Sequence, residues 1–149
     1  MDERAREELA GTLVELSRSL LGLAVQTVGE GPVEVTVVQH RVLVLLWTQG
    51  TLTITEIARQ LGVDQSNASR HCARLERLDL LSRRRARHDG RAVDVVLTAR
   101  GERQVRAVHE ARRRAMVGIL ARMSDEDARA VAGALQRFAE AAAGDLAET

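Results

Sequence analysis

The stretch EIARQLGVDQSNASRHCARL, residues 56–75, decides the fold. TITE, Thr53 to Glu56, forms a capping box just ahead of it. The Thr53 hydroxyl can satisfy an orphan helix amide, and Glu56 can reach back to the Thr53 amide. The short helix so started ends at Gly62, where only glycine takes up a left-handed conformation without steric cost. Asp64 can cap the next helix, which carries Ala68, Cys72, Leu75 and Leu78 on one apolar stripe. Ala58 is small where the two helices would cross, and Val63 and Ala68 would fill the gap between them. The pattern reads as a helix-turn-helix.

The polar side of the second helix holds Gln65, Ser66, Asn67, Ser69, Arg70 and Arg74. These side chains are of the types that read base edges and bind phosphates. An ordinary helical hairpin with a polar surface is the bland alternative. The DNA reading is preferred because a basic segment follows directly, RRRARHDGR at residues 83–91. Beyond it, AVDVVLT alternates Val93, Val95 and Leu97 with Asp94 and Val96, as a strand does. With arginines before an Asp-Gly turn, the segment reads as a β-hairpin. Arg83, Arg84, Arg85 and Arg87 would supply phosphate contacts, which add affinity and salt dependence rather than specificity. Strand alternation prevents them all pointing one way, so some must be solvated or paired with acids. A nuclear-localisation reading has nothing else in its favour.

Outward from this centre the chain is helical. Residues 3–27 place Leu9, Leu13, Leu16, Leu20 and Leu23 on one helix face, and the loop GEGP, Gly29 to Pro32, ends it. A second helix runs from Thr36, its cap, to Gln49, with Gly50 closing it. Val42, Leu43, Leu45, Leu46 and Trp47 would make it largely buried. Residues 99–123 form another helix, with Val105, Val108, Met116, Ile119, Leu120 and Met123 as its apolar positions. Ser124 starts a last helix, Asp127 stands in a capping-box position, and Val131, Leu135, Phe138 and Leu146 continue its apolar face.

Composition bounds the function. The chain has 149 residues, 45% hydrophobic and 29% charged, which suits a globular protein rather than a disordered one. Trp47 and Phe138 are its aromatics, so the core must be aliphatic. The net charge is +1 but uneven: residues 1–36 carry seven acids and three arginines, residues 64–91 eight arginines and four acids. A basic middle suggests a local anionic partner. A single cysteine rules out an internal disulfide and a thiolate metal cluster. The start is too acidic for a signal peptide and no apolar run would span a membrane, so a cytoplasmic protein is expected.

Here LTITEIARQLGVDQSNASRHCARLERLDLLSRR, then DGRAVDVVLTARG, resembles the multiple-antibiotic-resistance regulator (MarR) family of bacterial winged-helix repressors. The hairpin motif is Asp-x-Arg, a strand, then Leu-Thr-x-x-Gly, present as Asp89, Arg91, Leu97, Thr98 and Gly101. The resemblance covers residues 36–101. It implies a mainly α fold with a small β-hairpin wing (α+β), a winged helix-turn-helix with N- and C-terminal dimerisation helices. The division would be 1–35 for an N-terminal dimerisation helix and loop, 36–101 for the DNA-binding winged helix and 102–149 for C-terminal dimerisation helices. It implies a homodimer on a pseudo-palindromic double-stranded operator, with the recognition helix in the major groove and the wing in the minor groove. Ser66, Asn67, Ser69 and Arg70 would make the recognition contacts, Arg91 would be the wing-tip arginine, and Asp89 would brace the wing. A narrow minor groove concentrates negative potential, which is consistent with an arginine there.

Other candidates are weaker. Cys72 could be a redox switch, with Arg70 and His71 lowering its pKa, but its place on the apolar stripe favours a core role. His40 falls near the effector cleft the resemblance implies, where it could hold a small anionic or phenolic effector or be a satisfied interface histidine. Trp47 is a core candidate first. The histidines His40, His71, His88 and His109 lack metal-ligand spacing, and no cofactor is expected. No catalytic set or phosphate loop is present, so an enzyme is not expected. The competing class is a winged-helix module that binds protein rather than DNA.

Overall fold

The computed structural model describes residues 1–85 and 93–146. Its elements run α1 (Glu3–Val28), α2 (Val37–Gln49), β1 (Leu52–Thr53), α3 (Ile54–Leu61), α4 (Gln65–Arg77), β2 (Leu81–Arg85), β3 (Val93–Leu97), α5 (Ala99–Leu120) and α6 (Asp125–Leu146). This is the mainly α winged helix-turn-helix expected from the sequence. Two compact units are formed, Met1–Arg112 and Arg113–Thr149.

The local signals account for the helix ends. Thr53 Oγ1 accepts from the Glu56 amide at 3.2 Å, and Glu56 Oε2 accepts from the Thr53 amide at 2.8 Å. α2 has a second capping box, Thr36 with Gln39. Gly62 closes α3 at φ 68 and ψ 35. The Val63 amide bonds back to the Ala58 carbonyl, so the chain turns sharply enough to start α4 three residues on.

The expected hairpin is part of a three-stranded antiparallel sheet of order β1-β3-β2. Leu81 lies opposite Leu97 and Arg85 opposite Val93. The extra strand is β1, where Leu52 pairs with Val95 and Thr53 with Asp94. The core joins Val42, Leu43 and Leu46 of α2 to Ile57, Ala68, Cys72, Leu75, Leu81, Val95 and Val105. Burial of these aliphatic side chains contributes roughly 1.5–3 kcal/mol for each large one.

The root of the wing is fastened to α5. Thr98 Oγ1 accepts from the Gly101 amide at 3.0 Å, capping α5, and donates to the Asp79 carbonyl at 2.6 Å. A Cβ on Gly101 would overlap the Leu80 carbonyl oxygen, so glycine is what lets α5 approach the turn that leads into β2. Asp79 itself has φ 58, a left-handed turn residue between α4 and β2. Further along α5, Arg112 donates to Thr27 Oγ1 and to the Ala24 carbonyl, both at 3.2 Å, which anchors α1.

Two expectations change. Trp47 is 38% exposed rather than core, because Val42, Leu43 and Leu46 already fill the buried face of α2. Its ring sits 5.8 Å from that of His109 on α5. Leu45 is only partly buried. The helix begun at Ala99 also ends at Leu120 rather than at residue 123. The predicted apolar face of α1 exists, but Leu9, Leu13, Leu16 and Leu20 are about half exposed in the single chain. In α6, Val131, Leu135 and Phe138 are likewise exposed.

Candidate nucleic-acid interface

α4 buries Ala68, Cys72 and Leu75 completely, which forces its remaining side chains outward. Gln65, Ser66 and Ser69 line an open groove of about 620 Å³, closed on the other side by Thr53, Ile54 and Thr55 at the start of α3 and by Val93 of the wing. The groove therefore brings together the recognition helix, the helix before it and the wing. The sequence marks Thr53 as a helix cap rather than a groove residue, and Thr55 carries no groove signal of its own.

The N-terminal turn of α4 is held by Asp64. Its Oδ1 accepts from the Asn67 amide at 2.8 Å and also from the Ser66 hydroxyl. Those bonds, the Ser66 one foremost, hold the Asp64 carboxyl below its usual range. Ser66 thus spends its proton on Asp64 and presents lone pairs outward, an acceptor toward the groove. Gln65 Nε2 donates to Thr55 Oγ1 at 3.3 Å, which steadies the amide over the groove. Arg70 is exposed, and Asn67 is half-buried. Arg74 is separated from the others: it lines a different groove, of about 400 Å³, with Val33, Glu34, Thr36, Gln39 and Leu78.

Of the basic arm, Arg84 is exposed on β2. Arg83 is engaged. Its Nε donates to Glu76 Oε2 at 2.7 Å, its guanidinium approaches the same oxygen at 2.6 Å, and its backbone amide donates to Glu76 Oε1 at 3.1 Å. Arg85 belongs to β2, with its side chain outside the described residues. Arg87, Asp89 and Arg91, and with them the Asp-Gly turn, also lie outside the described residues.

His40 and Trp47, the residues expected to hold an effector, have different surroundings. His40 is 5% exposed, and its Nδ1 has no hydrogen-bond partner among the described residues. Burial first, and the nearby Arg112 charge second, push its pKa down to about 4. Trp47 opens instead onto a groove of about 280 Å³ with Leu46, Gly50, Thr51, Val96, Leu97 and Glu102. Cys72 is fully buried, and burial pushes its thiol up to about 11. The lowering influence is the Arg83 charge rather than Arg70 or His71, and it does not overcome the cost of desolvation. Among the described residues no group of three or more metal-type side chains converges, and no helix is long and apolar enough to cross a membrane.

The MarR family model matches residues 35–93, from the turn before α2 to the first residue of β3. Over those residues the chain is similar to the MarR family. Proteins of this family are transcriptional regulators rather than enzymes. A relative, the uncharacterised HTH-type transcriptional regulator YfiV of Bacillus subtilis (strain 168), is 32% identical over 93 residues. That match takes in 62% of this chain and spans 58% of YfiV's length. Among solved structures, Rv1404 from Mycobacterium tuberculosis superposes with a TM-score of 0.81 at 28% identity, covering 95% of this chain and 97% of that one. A MarR family protein from Bacillus stearothermophilus superposes with a TM-score of 0.82 at 26% identity, covering 96% and 99%.

Proposed function

We propose that this chain binds double-stranded operator DNA sequence-specifically and regulates transcription, as a repressor acting through a homodimer. The observation that carries this reading is the groove in which Gln65, Ser66 and Ser69 of α4 stand open beside the start of α3 and the wing strand. Such an opening leaves one helix free to lie along a major groove while flanking elements meet the sugar-phosphate backbone. Ser66, Asn67, Ser69 and Arg70 would contact bases, with Gln65 beside them. Arg74, on the other flank of α4, would meet phosphate. Arg84, Arg85 and Arg87 would contact the wing-side backbone, Arg91 would enter the minor groove, and Asp89 would brace it.

The half-exposed leucines of α1 and the exposed Val131, Leu135 and Phe138 of α6 support a second copy as partner. On this reading residues 1–35 and 102–149 assemble the dimer and residues 36–101 bind DNA, in the cytoplasm. The unpartnered Nδ1 of His40, with the Arg112 charge nearby, supports a small anionic or phenolic effector at that end of α2. Trp47 would belong to a different contact. An effector acts by favouring a dimer whose recognition helices are wrongly spaced for successive major grooves.

Fluorescence anisotropy with a labelled duplex from the region upstream of its own gene, at two salt concentrations, tests the reading. Tight binding that weakens steeply with salt, and weakens further in Arg70→Ala, is the expected result. Absent or salt-insensitive binding would instead mark a protein-interaction module.

A further inference from the structure

We propose that Glu76 is a positioning residue for DNA binding: it clamps the wing to the recognition helix and withdraws Arg83 from the phosphate-contacting set. The inference rests on the DNA-binding reading above and deepens it.

One carboxylate makes three contacts with one residue. Glu76 takes the Arg83 guanidinium on Oε2 through Nε and a terminal nitrogen, and the Arg83 backbone amide on Oε1. The backbone contact matters as much as the charge. β2 is an edge strand, bonded to β3 on one side only. The Arg83 amide faces the free edge, and Glu76 from the last turns of α4 occupies it. An edge amide otherwise stays open to water or to another strand. The wing is thereby fixed to the recognition helix at the point where β2 leaves the core, two residues beyond the buried Leu81. Both side chains are about one-third exposed, 32% for Arg83 and 36% for Glu76, so water competes for part of each. The bonds from Arg83, the side-chain one first, hold the Glu76 carboxyl below its usual range.

Arg83 and Arg84 are both exposed, but the Arg83 guanidinium is paired with Glu76. Two neighbouring arginines with the same composition therefore have different tasks. Arg84 displaces counterions from DNA, and Arg83 holds the wing at its angle.

Salt dependence separates the two. Binding of the full-length protein to the labelled upstream duplex is measured across roughly 50–200 mM salt, and the slope of log affinity against log salt is compared. Arg84→Ala is expected to reduce the slope by about 0.9 per site. Arg83→Ala, and Arg83→Gln should the alanine variant fold poorly, are expected to lower affinity severalfold at every salt concentration with the slope unchanged. In Glu76→Gln the amide oxygen can still accept from the Arg83 backbone while the guanidinium is released, so the slope is expected to rise. A fall in slope for Arg83→Ala matching that of Arg84→Ala, or an unchanged slope for Glu76→Gln, overturns the inference and leaves the DNA reading standing. No binding by wild-type protein overturns both.

Discussion

Gln104 holds the backbone of Val33 as a neighbouring strand would. Its Oε1 accepts from the Val33 amide at 2.9 Å, and its Nε2 donates to the Val33 carbonyl at 2.8 Å. Gln104 is fully buried, and Gly31 packs so closely on it that a Cβ there would overlap the side-chain amide. The turn between α1 and α2 is thus pinned to α5 by one side chain. Gln104→Ala strands two backbone groups that cannot easily recover water, and is expected to cost about 2–4 kcal/mol. Urea titration should show a lower midpoint with little change in slope. A loss below half a kilocalorie would mean the turn finds other partners.

Gly101 and Gly118 lie on the same helix with opposite consequences. A methyl group at Gly101 would overlap the Leu80 carbonyl and crowd Leu97, so Gly101→Ala is expected to destabilise by about 1–3 kcal/mol or more. At Gly118 a Cβ meets nothing within 4 Å. Gly118→Ala is expected to stabilise by about 0.4–1 kcal/mol. Thermal melts of the two variants should move in opposite directions from wild type.

His40 makes stability pH-dependent in a defined window. The folded chain keeps the imidazole neutral, with its pKa lowered from 6.5 to about 4. As pH falls below 6.5 the unfolded chain takes up a proton that the folded chain refuses, so stability declines. The expected loss is about 1.4 kcal/mol per pH unit until pH 4, where the folded form is protonated too. Above pH 7 this contribution is flat. The lowered carboxyls of Glu56 and Glu76 act below their ordinary 4.5, on the acid side of this window. Urea midpoints at pH 7.5 and 5.0 check it, with His40→Gln as the variant in which the decline should shrink.

Cys72 should behave as a small apolar group. With its thiol pushed up to about 11, only about one molecule in 10⁴ is thiolate at neutral pH. A thiol reagent is expected to label native protein far more slowly than urea-unfolded protein. Rapid native labelling, or oxidative loss of DNA binding that Cys72→Ser prevents, would make it a sensor instead.

What was legible in the sequence was what neighbouring residues decide together. The Thr53–Glu56 box, the Gly62 turn and the Asp64 cap each need only a few consecutive positions, and the structure places all three as expected. Contacts between distant residues left no such trace. Gln104 and Val33 are 71 positions apart, and Arg112 and Thr27 are 85 apart, with nothing in either pair to announce the other. β1 escaped because two residues are too few to show alternation. Strand alternation requires some of Arg83, Arg84, Arg85 and Arg87 to be solvated or paired with acids, but sequence shows charge density and not which guanidinium a carboxylate holds. Trp47 was misplaced because size and apolarity suggest burial, although three aliphatic neighbours had already taken that face.

Thr53 is both the last residue of β1 and the cap of α3. No spare residue separates sheet from helix there. Adding a single residue between Leu52 and Ile54 would have to surrender either the Leu52–Val95 pairing or the Thr53–Glu56 cap. The wing and the helix-turn-helix are consequently geared together, and length variation in a chain of this design has to be accommodated elsewhere.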